Sequence, residues 1–161
     1  MNLPSPSEGR IKMEENLVTL KIDDKEVKVK QGTTILQAAK QAGIDIPTLC
    51  FLKDINEVGD CRMCIVEVDG RKGFATSCIQ KAEEGMVVHT HSPAVMEARR
   101  VILDLILSNH HRDCLTCSRN GNCELQALAM KFNVQHVEFE GEMTEHKVDD
   151  KSPAIMRDFN K

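Results

Sequence analysis

The sequence contains no tryptophan and no tyrosine, and aromatic residues make up only 3% of its 161 positions. This absence limits any mechanism that would use tyrosyl or tryptophanyl radicals as electron relays. An excess of basic residues is also missing, because the formal net charge is −4 and the pI is near 5.9. A nucleic-acid partner would require clustered lysine and arginine. We therefore expect no nucleic acid to bind.

Long apolar runs are lacking as well. The longest lies around residues 101–107 and is interrupted by Asp104, so it is too short to cross a bilayer. Residues 1–16 lack the apolar segment of a secretory signal peptide. We therefore expect no membrane insertion and a cytoplasmic location, where thiols stay reduced.

The sequence does contain seven cysteines, and they fall into two groups. In a reducing compartment, C-x2-C pairs indicate metal ligands rather than disulfides. Seven thiols are one short of two four-ligand sites, and His110 and His111 precede the second group as candidates for the eighth ligand. The first group has the pattern C-x10-C-x2-C-x13-C (Cys50, Cys61, Cys64, Cys78), and the second has the pattern C-x2-C-x5-C (Cys114, Cys117, Cys123).

The ligand pattern of the first group leaves two kinds of metal centre open. A structural zinc site with four cysteines normally uses two C-x2-C knuckles, whereas only Cys61 and Cys64 form one here. Three ligands on a loop and a fourth from a following strand is the arrangement of plant-type [2Fe-2S] proteins, although their first gap is shorter. The pattern favours an iron-sulfur cluster, with a zinc-binding interaction module as the alternative.

Periodicity predicts a β-rich first half. Alternating residues over 17–22 and 26–30 predict a hairpin. A capping box at Thr34 and Gln37 then predicts a helix that ends before a positive-φ Gly43. Further strands are expected over residues 65–68, 72–76 and 86–89, with a two-residue turn at Asp69 and Gly70. Two strands, one helix and further strands is the order of a β-grasp, the ubiquitin-like fold.

The second half is predicted to be helical. Ser92 and Pro93 have the residue types that begin a helix, which should end at Asn109. We expect only a narrow polar stripe on it, with the apolar remainder widely covered. A short amphipathic helix should follow Cys123. The residues assigned to the polar stripe are Glu97, Arg100, Asp104 and Ser108.

The two cysteine groups, in this order, resemble a known family. Residues 58–64, VGDCRMC, are similar to the cluster-binding loop of iron-only hydrogenases and of the large peripheral iron-sulfur subunit of respiratory complex I. Residues 109–126, with the pattern H-x3-C-x2-C-x5-C, resemble the histidine-ligated [4Fe-4S] segment that follows in both families. The resemblance covers residues 17 to about 135 in unbroken order.

This resemblance implies an α+β protein in four parts. Residues 1–16 would be a flexible N-terminal extension and residues 17–91 a β-grasp 2Fe-2S ferredoxin domain. Residues 92–137 would be a small helical 4Fe-4S domain with one histidine and three cysteine ligands, followed by a C-terminal tail or linker over residues 138–161. It also implies which side chains bind each cluster: Cys50, Cys61, Cys64 and Cys78 for the [2Fe-2S] cluster, and His110, Cys114, Cys117 and Cys123 for the [4Fe-4S] cluster. The x3 spacing of the family favours His110 over His111.

By the same resemblance, we expect an electron-transfer subunit of a cytoplasmic multi-subunit oxidoreductase. The implied types are an electron-bifurcating or NAD(P)H-linked hydrogenase, a formate dehydrogenase or a transhydrogenase. The chain would relay single electrons between a flavin- and NAD(P)-binding iron-sulfur subunit and other redox centres, with no catalytic site of its own. The alternative is the N-terminal part of an iron-only hydrogenase catalytic subunit or of the complex I large subunit.

Overall fold

The computed structural model describes residues 16–141 and 147–157, so most of the expected N-terminal extension lies outside the described residues. Within them the chain is α+β, as predicted, and no helix there is long and apolar enough to span a membrane. The strands are β1 Leu17–Ile22, β2 Lys25–Lys30, β3 Ile65–Val68, β4 Phe74–Thr76 and β5 Val87–His89, and the helices are α1 Ile35–Gln41, α2 Pro93–Ser108 and α3 Glu124–Lys131.

The strands form one mixed sheet in the order β2-β1-β5-β3-β4. Strand β1 is antiparallel to β2, with Leu17 opposite Lys30, and parallel to β5. Strand β3 lies antiparallel to both β4 and β5. Alternation therefore turns the apolar side chains of β1 and β2 to one face, where α1 covers them to form the main core.

Helix α1 begins as the sequence predicts. The Thr34 hydroxyl accepts a hydrogen bond from the Gln37 backbone N–H, and the Gln37 side chain accepts one from the Thr34 N–H. Gly43 follows the helix with a φ of +69°. The second hairpin differs from the two-residue turn that was expected, because β4 begins only at Phe74. Gly70 and Gly73 both have positive φ, which lets the chain reverse through a longer loop.

Helix α2 starts at Pro93 after the Ser92 cap and ends at Ser108, with Asn109 as its C-cap, as predicted. The expected distribution of its side chains was wrong in part. Asp104 is buried rather than solvated, and Arg99 is fully buried, whereas Val101 and Leu105 are exposed. The buried face follows the spacing of Val95, Arg99 and Leu103, because this face meets β3 and α3.

A second, smaller core lies between α2, α3 and the loop that carries the first cysteine group. Its buried members are Met63, Leu103, Leu128 and Phe132. Leu49 and Cys61 of the first cysteine loop pack against it. The two halves of the described chain therefore share a packed boundary.

Candidate metal centres

The first cysteine group lies at one end of the sheet. Cys64 directly precedes β3 and Cys78 closely follows β4, so the β3–β4 pairing brings these two positions side by side. Both are 1% exposed, whereas Cys50 and Cys61 are half-buried. Two thiols thus line the inner wall of the site and two lie toward solvent.

Ser77 fixes the inner pair through the backbone. Its hydroxyl and its N–H both donate to the Cys64 carbonyl, at 2.7 and 3.2 Å. The Ser77 carbonyl in turn accepts a hydrogen bond from the N–H of Leu36 in α1, at 2.9 Å. Helix α1 therefore supports the strand end from which Cys78 projects.

The outer pair is held by turns. The Asn56 side chain donates to the Cys50 carbonyl at 2.8 Å, and Asn56 also exchanges backbone hydrogen bonds with Leu52. Arg62, between Cys61 and Cys64, has a φ of +58°, and its guanidinium donates to the Thr76 hydroxyl at 2.8 Å. A left-handed residue redirects the chain locally, so that successive backbone N–H groups of such a loop can face one centre.

The four thiols of the first group interact electrostatically. The pKa of the Cys78 thiol is raised to about 12, first by burial and then by its hydrogen bond with Cys64 and the charges of Cys64, Cys50 and Cys61. Four thiolates in this position are therefore strongly disfavoured without a compensating cation. This donor set fits a cationic iron core, which binds thiolates and not thiols.

The second group lies on an exposed loop between α2 and α3. Cys117 donates its N–H to the carbonyls of Asp113 and Cys114, and its own carbonyl accepts a hydrogen bond from Asn120. The Cys117 sulfur accepts a hydrogen bond from the Arg119 backbone N–H at 3.4 Å. An N–H donor to sulfur is an interaction that tunes iron-sulfur clusters.

Cys123 is the N-cap of α3, and Gly121, with a φ of +77°, makes the preceding turn. The Gly121 N–H and the Asn120 side chain both hydrogen-bond to the side chain of Gln126 in the first turn of α3. The loop is therefore anchored to the helix that follows it. A thiolate at a helix N-terminus is also favoured by the helix dipole.

The structure does not join His110 to the second cysteine group. Among the described residues, no hydrogen bond links His110 or His111 to Cys114, Cys117 or Cys123. Both histidines line the same surface cavity with Val137 and Phe139. The choice of His110 therefore stays a prediction.

No three His, Cys, Asp or Glu side chains within the described ranges converge closely enough to hold a metal ion. This finding is compatible with a [2Fe-2S] cluster, because its four ligands are shared between two irons and need not converge on a single ion. Both ligand sets thus stay predictions from the sequence.

One charged residue beside the first group was missed by the sequence analysis. Arg99 of α2 is fully buried, and its guanidinium donates to the Ile65 carbonyl, directly after Cys64, at 2.7 Å. The signal was present in the four-residue spacing of Val95, Arg99 and Leu103, which places Arg99 on the buried face.

Two family models match the chain in succession. The one described as a 2Fe-2S iron-sulfur cluster binding domain matches residues 15–93, and the one described as the NADH-ubiquinone oxidoreductase-G iron-sulfur binding region matches residues 99–138. The chain therefore carries the two iron-sulfur regions of these models in tandem. The matches confirm both cofactors predicted from the sequence, a [2Fe-2S] and a [4Fe-4S] cluster.

Relatives of this tandem iron-sulfur chain are subunits of NAD(P)-linked oxidoreductases. It is 44% identical over 151 residues to the NADP-reducing hydrogenase subunit HndD of Solidesulfovibrio fructosivorans, covering 91% of this chain and 26% of that protein. It is 35% identical over 146 residues to the mitochondrial 78 kDa subunit of NADH-ubiquinone oxidoreductase of Neurospora crassa, covering 89% of this chain and 20% of that one. The chain thus spans about a quarter or less of the length of these relatives.

A solved structure has the same fold. A chain of the NAD+-reducing [NiFe]-hydrogenase in the H2-reduced state superposes with a TM-score of 0.77 at 31% sequence identity, over 84% of this chain and 57% of that one. The family resemblance read from the cysteine pattern is therefore confirmed by both sequence and structure.

Proposed function

We propose that the chain is the iron-sulfur electron-transfer part of a cytoplasmic, NAD(P)-linked oxidoreductase complex of the hydrogenase type, including the electron-bifurcating kind. It relays single electrons between a flavin- and NAD(P)-binding subunit and further redox centres. The observation that carries the proposal is the succession of two iron-sulfur regions on one chain that resembles subunits of such complexes. When bound, each cluster supplies one-electron oxidation and reduction.

The sheet supports a β-grasp assignment for the first part of the chain. A parallel β1–β5 pair next to the antiparallel β1–β2, β3–β5 and β3–β4 pairs, with α1 covering the sheet, is the arrangement expected of that fold. We propose residues 17–91 as the ferredoxin domain, 92–137 as the helical domain with a histidine-ligated cluster, and 138–161 as the tail or linker.

For the first cluster we propose Cys50, Cys61, Cys64 and Cys78 as ligands. The buried inner pair keeps water from one side of the site, since Cys64 and Cys78 are each 1% exposed. Between the half-buried Cys50 and Cys61, the loop carries the exposed apolar side chains of Leu52, Ile55 and Val58. Exposed apolar surface is found at sites of protein association, and we assign this loop to the electron-transfer partner.

For the second cluster we propose His110, Cys114, Cys117 and Cys123 as ligands. Cys117 already accepts a backbone hydrogen bond at sulfur, and Cys123 lies at the N-terminus of α3. A neutral imidazole in place of one thiolate makes the centre less negative and favours its reduced state.

Anaerobic purification followed by iron and sulfide determination and EPR tests the proposal. We expect about six irons and six acid-labile sulfides per chain, and two distinct signals after reduction. Zinc in place of iron and sulfide would reject electron transfer and establish a zinc-binding interaction module instead. A single signal with about two or about four irons would reject one of the two ligand sets.

A second candidate places the same region inside a longer catalytic subunit, of the iron-only hydrogenase or complex I type. It is favoured by the small share of the relatives that the chain covers, 26% of HndD. The intact mass of natively purified protein separates the two. A mass near 18.0 kDa supports the short subunit, and a much larger mass supports the longer polypeptide.

A further inference from the structure

Arg99 is the bulkiest fully buried side chain among the described residues. Its Nη2 donates to the Ile65 carbonyl at 2.7 Å, but Nε and Nη1 have no hydrogen-bond partner there. No ion pair joins it to a carboxylate in the described part of the chain. Burying a charge without a counter-charge is strongly unfavourable. A group that satisfies this cation is therefore expected nearby.

The two carboxylates whose charges act on Arg99 already have other partners. Asp23 accepts two hydrogen bonds from Thr90, and Asp45 pairs with Lys131 at 3.0 Å. Burial lowers the pKa of Arg99 to about 10, while the charges of Cys64, Asp23 and Asp45 oppose this shift. Arg99 therefore keeps its positive charge at neutral pH.

The surroundings of Arg99 indicate which anion compensates its buried charge. Its bonded carbonyl belongs to Ile65, the residue after the buried Cys64, and the Phe132 ring centroid lies 6.0 Å from its guanidinium carbon. Two ferric ions, two sulfides and four thiolates carry a net charge of about −2, which becomes about −3 on one-electron reduction. A centre held by Cys64 and its three companions would be the strongest anion in this part of the molecule.

We propose that Arg99 is the buried counter-cation of the [2Fe-2S] centre and that it sets the reduction potential of that centre. The inference rests on the proposed function, since it requires the first ligand set to hold a cluster. A fixed positive charge stabilises the more negative, reduced state more than the oxidised one, and thereby raises the midpoint potential. Arg99 lies outside residues 15–93, so the 2Fe-2S domain would owe part of its potential to the first helix of the following region.

Arg99 also has a positioning role on this account. One side chain joins the end of the first cysteine loop, helix α2 and Phe132 at the end of α3. A purely structural role would depend on its hydrogen bond to Ile65, whereas a potential-setting role depends on its charge. The two roles can therefore be separated by substitution.

The test compares Arg99→Gln and Arg99→Lys with Arg100→Gln in the anaerobically purified holoprotein. Arg100 is the control for a charge on the same helix, because it is adjacent to Arg99 but exposed, pairs with Glu97 at 3.7 Å and donates to the Phe132 carbonyl at 3.1 Å. EPR-monitored redox titration gives the midpoint potential of each centre. We expect Arg99→Gln to lower the reduction equilibrium constant of the [2Fe-2S] centre by at least about tenfold, which is about 59 mV for a one-electron couple. Arg99→Lys and Arg100→Gln should stay near the wild-type value.

Two titration results would overturn the inference: an unchanged potential in Arg99→Gln, or an equal shift in Arg99→Lys. If Arg99→Gln does not retain its cluster, the decision passes to the circular dichroism of the apo chain. If the apo form of Arg99→Gln is folded like the apo wild type, the Arg99 charge is needed only when the cluster is bound, which supports the inference. If the apo form of Arg99→Gln is unfolded, the role of Arg99 is structural and the inference is rejected. Wild-type protein without iron would instead refute the proposed function.

Discussion

At the scale of single residues, the first cysteine loop depends on backbone conformations that few side chains tolerate. Gly59 has a φ of +72°, and a Cβ there would lie 3.1 Å from the Thr76 methyl group and 3.2 Å from Ile79. Thr76 is also the residue that accepts the Arg62 hydrogen bond. The positive φ and the close approach of the loop to β4 therefore favour a residue without a side chain.

Gly59→Ala should destabilise the chain more than Gly70→Ala. Both glycines have a φ above +70°, but a Cβ at Gly70 meets no atom within 4 Å. Both substitutions incur backbone strain of about 1 kcal/mol, and only Gly59→Ala adds steric crowding of about 1 to 3 kcal/mol. Anaerobic urea unfolding measures the difference. Equal losses in the two variants would show that the loop does not press against β4.

His110→Ala and His111→Ala form a second matched pair. Both side chains are exposed and line one cavity, so their packing contributions should be similar. If His110 is the fourth ligand, only its replacement should reduce the iron content, by up to about four irons per chain. Metal analysis of the two purified variants decides between them. Loss of iron in His111→Ala alone would reverse the assignment.

The sequence allowed the two cysteine groups to be recognised, but not the buried positive charge of Arg99. The two cysteine groups were recognisable because thiol spacing is a property of the local sequence. Arg99 was missed because its environment is made by Ile65 and Phe132, each more than thirty positions away. The four-residue spacing on α2 could indicate that Arg99 is buried, but contact partners at that separation cannot be read from helical periodicity alone.

At the scale of elements, helix α2 shows the same limit. Its ends were predicted from Ser92, Pro93 and Asn109, because capping depends on neighbouring residues. The prediction of its polar stripe was wrong at Asp104, because the segment around Glu138 covers this residue. The Asp104 carboxylate accepts the Glu138 N–H at 3.0 and 3.2 Å, and this pairing replaces its contact with water.

Asp104→Ala should release the segment around Glu138 from α2. The Glu138 N–H would lose its acceptor, which costs about 1 to 3 kcal/mol for a hydrogen bond to a charged group. Hydrogen exchange should therefore accelerate at residues 136–140, while α2 itself stays protected. Glu97→Ala is the control, since Glu97 is exposed on the same helix and its ion pair with Arg100 is also exposed. Unchanged exchange at Glu138 would show that other contacts hold this segment.

At the scale of the whole molecule, the two cores are unequal. The sheet and α1 bury a continuous apolar cluster from Val18 to Val88, whereas the core around α3 has few buried members besides Leu128 and Phe132. Cys114, Cys117 and Cys123 are not among the buried residues of either core. The second region therefore has little apolar burial to hold it together without bound metal.

Removing iron with a chelator under anaerobic conditions should unfold the second region first. Ligand bonds contribute directly to the folding of metal-dependent loops, and Leu128 is the only buried residue among residues 110–131. Hydrogen exchange should lose protection in α3 while β1, β2 and α1 stay protected by their own core. Cluster reconstitution should restore protection in α3, which controls for irreversible damage. Simultaneous loss of protection in β1 and α3 would instead show that Met63, Leu49 and Cys61 make the two regions one cooperative unit.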